Sequence, residues 1–193
     1  NPSNSSICIG GNTSFTVAAT GTSLTYQWQV STNGGGSYSN ISNGGVYSNA
    51  TTTTLNITGA TAGMSGYKYQ CVVSSGACSS TSTAATLSFN SPNLTTSGTM
   101  AGVCINAGAQ TTTLSYSAAT NSPTSYSIDW DAAANTAGLA DQGNTAFAFN
   151  AGGGTLPGIA ITAGTPAGTY NGTMTLTNGA TCTNTLAVSI TVS

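Results

Sequence analysis

The last ten residues restrict this chain more than any other stretch. Leu186, Val188, Ile190 and Val192 alternate strictly with Thr185, Ala187, Ser189 and Thr191. A period of two puts alternate side chains on opposite faces, so this segment predicts a half-buried antiparallel strand. The same alternation recurs at Phe15, Val17 and Ala19, at Tyr26, Trp28 and Val30, and at Thr53, Leu55 and Ile57. It continues through Tyr67, Tyr69, Cys71 and Val73, and through Ala85, Leu87 and Phe89. Later come Leu114 and Tyr116, then Tyr126, Ile128 and Trp130, then Phe147 and Phe149, then Tyr170, Met174 and Leu176. No segment sustains a helical period. Asn33-Gly34, Asn43-Gly44, Asn171-Gly172 and Asn178-Gly179 supply turn chemistry, and Gly152-Gly153-Gly154 with Pro157 predicts a longer break. Many short strands at this spacing predict an all-β sandwich fold.

The cysteines expose an internal repeat. Cys8 and Cys104 each precede a first strand, and Cys78 and Cys182 each precede a last one. The paired positions lie 96 and 104 residues apart, so the repeat is close to a hundred residues. Two domains are therefore expected, 1–90 and 91–193, with the boundary at Asn90-Ser91-Pro92, where proline blocks strand continuation. So short a linker predicts an end-to-end arrangement.

Charge excludes whole classes of function. Among 193 residues there is no His, one Lys (Lys68), and three carboxylates, Asp129, Asp131 and Asp141. Proton transfer near neutral pH needs His, a tuned carboxylate or Lys, and a Ser, Thr or Cys nucleophile needs such a group beside it. The chain is not expected to be an enzyme. A single Lys cannot neutralise a phosphate backbone, which excludes nucleic-acid partners. It offers an anionic membrane surface little, and no apolar run spans a bilayer. Asn1-Pro2-Ser3-Asn4 carries no signal-peptide pattern, so an exported protein would have lost its signal or be read here as an excised piece.

Five cysteines without His or a C-x-x-C pair predict disulfides rather than a metal centre, and hence an extracellular setting. The second half holds only Cys104 and Cys182, which are expected to pair. By the repeat, Cys8 pairs with Cys78 and Cys71 stays a buried thiol; the rival is Cys8 with Cys71, leaving Cys78 free. Each such bridge would contribute roughly 4 kcal/mol by loop closure.

Trp28 in Tyr26-Gln27-Trp28-Gln29, with Tyr69-Gln70-Cys71 on a later strand, resembles the immunoglobulin pattern of a core Trp beside a strand-F Cys. Tyr69 resembles its tyrosine corner, while Phe15 and Val17 stand where the strand-B Cys would be. Longer strings, Tyr26–Ser31 with Asn33-Gly34-Gly35, Leu55-Asn56-Ile57 and Met64-Ser65-Gly66-Tyr67, are similar to the Ig-like repeats of Bacteroidota surface proteins. Ser125–Trp130 and Pro166–Thr173 are similar to companion repeats of the same proteins. Such repeats build very long adhesins exported by the type IX secretion system, including gliding-motility adhesins. The resemblance implies two tandem Ig-like β-sandwich domains at a cell surface, and no catalytic residues.

Three site expectations remain. Asp129, Asp131 and Asp141, helped by Asn135 or Asn144, are oxygen donors for a Ca²⁺ ion, against the plainer reading of solvated polar positions. Tyr38 and Tyr47, in Gly/Asn/Ser-rich loops, are candidates for a glycan-stacking platform, against packing over a sandwich edge. Asn-x-Ser/Thr triplets at Asn4, Asn12, Asn40, Asn49, Asn56, Asn93 and Asn171 follow from composition and are not read as glycosylated. Function narrows to a structural or adhesive segment of a secreted adhesin or stalk, whose partners are neighbouring repeats, further copies or surface glycans. One alternative is a filament subunit whose Asn1–Ser6 segment adds to a neighbour's sheet. The other is a carbohydrate-binding accessory module of a secreted enzyme.

Overall fold

The computed structural model describes all 193 residues, Asn1–Ser193, and they fall into two compact units, Asn1–Asn90 and Ser91–Ser193.

The first unit contains β1 (Ser5–Ile7), β2 (Thr13–Thr16), β3 (Thr25–Ser31), β4 (Ser39–Asn40), β5 (Tyr47–Ser48), β6 (Thr54–Ile57), β7 (Lys68–Ser75), β8 (Cys78–Thr81) and β9 (Ala85–Phe89). One sheet runs β1-β9-β7-β3-β4, with β8 on the upper half of β7; the other runs β2-β6-β5. β1 lies parallel to β9, and the other pairs are antiparallel. The two sheets enclose Phe15, Trp28, Leu55, Ile57, Tyr69, Cys71 and Leu87. Trp28 stands directly opposite Cys71 in the β3–β7 register, and its indole N–H donates to the Thr52 carbonyl at 2.9 Å. Phe15 on one sheet stacks on Tyr69 of the other, ring centroids 4.8 Å apart. This aromatic contact joins the sheets without a covalent bridge.

Asn1–Ser6 is not a free arm. β1 pairs with β9, and the Asn1 and Asn4 side-chain oxygens accept from the Thr83 and Thr86 amides at 3.0 and 2.8 Å. Donating this segment to a neighbour would cost these bonds.

The second unit contains β10 (Asn93–Thr95), β11 (Gln110–Tyr116), β12 (Ala118–Thr120), β13 (Pro123–Trp130), α1 (Ala132–Thr136), β14 (Gln142–Ala146), β15 (Gly154–Ile161), β16 (Gly168–Asn178) and β17 (Thr183–Val192). The main sheet is β14-β13-β16-β17; β11 pairs with β15 and β10 with β12. Leu114, Leu156, Ile159 and Ile161 meet Tyr126, Ile128, Trp130, Met174, Leu176, Val188 and Ile190 in one core.

Several segments depart from the alternation pattern. Phe147 and Phe149 follow β14 rather than forming a strand. Pro157-Gly158 lies inside β15, where both residues are exposed and Gly158 takes φ +73°, so Leu156 and Ile159 both turn inward. Asn171-Gly172 is strand, not turn: it sits mid-β16, opposite Ser189 and Val188 of β17. Gly172 is required there by close approach, since a Cβ would come within 2.9 Å of both the Asp129 carbonyl oxygen and the Trp130 ring. The tyrosine corner also lies in this unit. Tyr170, near the start of β16, donates its hydroxyl to the Pro166 carbonyl at 3.0 Å, whereas the Tyr69 hydroxyl pairs with that of Tyr47.

Gly172→Ala is expected to destabilise the second unit by about 1–3 kcal/mol, because the Trp130 ring and a fixed carbonyl must both yield. Urea denaturation read by tryptophan fluorescence measures it; an unchanged midpoint would show the β13–β16 packing to be loose.

Candidate functional site

The cysteines differ from the expected pairing. Cys71 is a buried thiol, and Cys78 and Cys104 are exposed thiols, while Cys8 and Cys182 are the disulfide-bonded residues. The pairings Cys8–Cys78 and Cys104–Cys182 therefore do not form, and neither does Cys8–Cys71. The internal repeat matches these positions in sequence, but Cys78 opens the exposed strand β8, folded back on β7 opposite Ser75, and never enters the core. Cys71 faces Trp28 between the sheets, where burial raises its thiol pKa, and no base stands beside it. It is a core residue, not a nucleophile.

The three carboxylates do not converge on an ion. Asp131 caps the short helix α1, accepting from the Ala134 amide at 2.8 Å. Asp141 accepts from the Trp130 amide at 2.9 Å, tying the α1–β14 connection to the end of β13. Asp129 is exposed, and Asn135 donates its side-chain amide to the Trp130 carbonyl at 3.0 Å. The three aspartates form no group able to hold a metal. Their proximity in sequence marks a strand end and a helix start, which consume carboxylates as caps.

Tyr38 and Tyr47 do not share a platform. Tyr47 lies on β5 of the smaller sheet, half-buried, its ring edge-on to Tyr69 at 6.2 Å and its hydroxyl 3.2 Å from the Tyr69 hydroxyl. Tyr38 precedes β4 at the edge of the other sheet, with its hydroxyl beside the turn glycine Gly35. Packing over the sandwich, not ligand stacking, accounts for Tyr47. Burial raises the Tyr69 phenol pKa strongly, the bond to Tyr47 adding to it; burial also raises Tyr47 and, in the second unit, Tyr126.

The concave feature that pattern reading missed is in the second unit. A cleft of about 560 Å³ is lined by Ala119, Pro123, Phe147 and Phe149, with Asn121 and Ser122 among its polar members. It could not be found from alternation, because Phe147 and Phe149 imitate an inward-facing strand. The signal was the Gly152-Gly153-Gly154 break that follows them.

No family model matches the chain, and no curated protein matches it. Solved structures do. A titin I-band fragment, I67–I69, is 16% identical, with a TM-score of 0.50 over 99% of this chain and 63% of the fragment. The N-terminal four Ig domains of Dscam1 isoform 1.9 give 14% identity and a TM-score of 0.46 over 99% of this chain and 43% of that one. The Ig1-2 module of the Drosophila receptor protein tyrosine phosphatase DLAR gives 19% identity and 0.37 over 100% and 95%. The chain spans under half the length of the Dscam1 structure it matches. The fold is thus immunoglobulin-like, all-β and sandwich-built.

Two outcomes follow. Thiol titration should count three thiols: Cys78 and Cys104 reacting at once, and Cys71 only on unfolding; a single slow thiol would contradict the structure. Phenols kept neutral by burial stabilise fully below their ordinary pKa of ~10. That contribution drains as pH rises from there toward the higher folded value, because the unfolded chain ionises first. Tyr69→Phe should flatten this alkaline loss, followed by denaturation midpoints across the range.

Proposed function

We propose that this chain is a non-catalytic structural or adhesive segment of a secreted cell-surface adhesin, of the long repeat type that its sequence resembles. The observation that carries the reading is where the few reactive side chains sit. Asp131 and Asp141 are committed to backbone amides, Cys71 is sealed in the core, and Lys68 donates to the Thr86 hydroxyl at 3.1 Å. A base and a nucleophile in mutual reach, the minimum for covalent catalysis, are not assembled from them. Asp129 and the thiols of Cys78 and Cys104 are exposed, and the chain has no His to activate them. The disulfide-bonded Cys8 and Cys182 support an oxidising, extracellular location. No helix is long and apolar enough to cross a membrane.

The immunoglobulin-like fold by itself hosts many roles, so the argument rests on the side chains. A filament subunit is the second reading, favoured by the low charge: with one Lys and three Asp, packed copies barely repel. The engaged β1 weighs against assembly by strand donation.

The segment displayed on a non-adherent cell should confer attachment to surfaces or to other cells, and electron microscopy of the purified chain should show dispersed particles. Regular polymers would favour the filament, and turnover of any compound would overturn both readings.

A further inference from the structure

The cleft of the second unit is open to solvent, and its aromatic lining is held by contacts to the core. Its floor comes from Phe147 and Phe149, whose rings meet edge-to-face at 4.8 Å and 78°, so the cleft meets two differently oriented aromatic surfaces. Phe149 is anchored below by edge-on contacts to Tyr116 at 5.7 Å and Tyr126 at 6.4 Å. The Phe147 amide donates to the Thr124 carbonyl at 3.0 Å, and the Asn150 amide donates to the Tyr116 hydroxyl at 2.9 Å. Within the same lining, Asn121 and Ser122 hold φ of 55° and 49°, a left-handed pair that non-glycine residues rarely adopt. The pair is pinned in that form. The Asn121 carbonyl accepts from the Asn178 side chain at 3.1 Å, and its own side-chain N–H donates to the Ser91 carbonyl at 2.7 Å. The pair is the two-residue connection between β12 and β13, so the tight turn and the cleft lining are one element.

The chemistry of the lining selects the ligand. None of the side chains that line the cleft is ionisable, so a charged group entering it would lose hydration without gaining a partner. About 560 Å³ falls in the range of small-molecule sites rather than protein interfaces. Rings and Pro123 offer apolar contact, while the Asn121 side-chain oxygen and the Ser122 and Thr124 hydroxyls offer hydrogen bonds along the wall. A ligand that is apolar on one face and hydroxylated around its edge satisfies both. We propose that this cleft binds a neutral saccharide of one or two pyranose units, stacked on Phe147 with its hydroxyls toward Asn121 and Ser122. This deepens the adhesive reading by naming the ligand class, and it rests on that reading only for the sugar's being surface-borne.

The test uses the intact chain, ¹⁵N-labelled, titrated with neutral disaccharides (lactose, cellobiose, maltose) and, in parallel, with sialylated and sulfated counterparts and a proline-rich peptide. Expected are amide shifts confined to Asn121–Thr124 and Phe147–Ala151 with at least one neutral disaccharide, weaker or absent with the charged ones, and none with the peptide. Phe147→Ala should weaken binding tenfold or more and Phe147→Tyr should restore it, with thermal melts confirming the fold. The wild-type shift map stands even if the alanine variant unfolds. No shifts with any neutral sugar, shifts elsewhere, equal response to charged sugars, or binding of the peptide instead would overturn the assignment. Attachment by displayed cells without such shifts would sink the cleft and leave the adhesive reading; shifts without attachment would do the reverse.

Discussion

Each unit depends on one tryptophan buried between two sheets, Trp28 in the first and Trp130 in the second, both almost wholly removed from water. Burying so large a ring is the largest single apolar contribution available to so small a core. The two sites solve the packing differently. Trp28 faces Cys71 across the β3–β7 pair and hands its indole N–H to Thr52. Trp130 faces Gly172, whose missing side chain makes room for the ring, and its indole N–H is buried without a partner. An orphaned donor of this kind costs stability, typically 1–3 kcal/mol, so the second core must be held by shape. The tyrosine corner at Tyr170 and the buried rows of β16 and β17 supply that shape.

Removing charge from a β-sandwich shifts the work of its solvent face to neutral pairs. Gln70, Gln29 and Asn40 form an amide ladder across β7, β3 and β4, with bonds of 2.9 and 2.8 Å. Thr16 with Thr54, and Thr169 with Thr191, make hydroxyl pairs on neighbouring strands. Cross-strand pairs of this sort each contribute a few tenths of a kcal/mol to about 1 kcal/mol and do not respond to salt. The same substitution leaves few charged groups, one Lys and three Asp, and no His.

Strand identity was legible wherever alternation ran long. Leu186 to Val192 form part of β17, and Tyr69, Cys71 and Leu55 face the core, because a single period explains them. Legibility failed where a residue had two local uses. Asn171-Gly172 has turn chemistry, yet the glycine serves Trp130 on the next strand. Phe147 and Phe149 keep the period but line a cleft. The aspartates read as ion ligands, yet capping and a strand-end amide use two of them. The partners differ in reach: Gly172 is 42 residues from Trp130, whereas Asp131 caps through Ala134, three residues on.

Composition and period two by themselves determined that this protein is built of sheets, with one tryptophan in each half, no His and only four charged side chains. Those properties are local or global sums, and no fold can alter them. Which sulfurs are oxidised, which tyrosine makes the corner and where a concave aromatic surface opens were decided only by tertiary structure. Each depends on what a side chain meets in the folded chain, whether four residues away, as Tyr170 meets Pro166, or much farther, and alternation records only which face it takes.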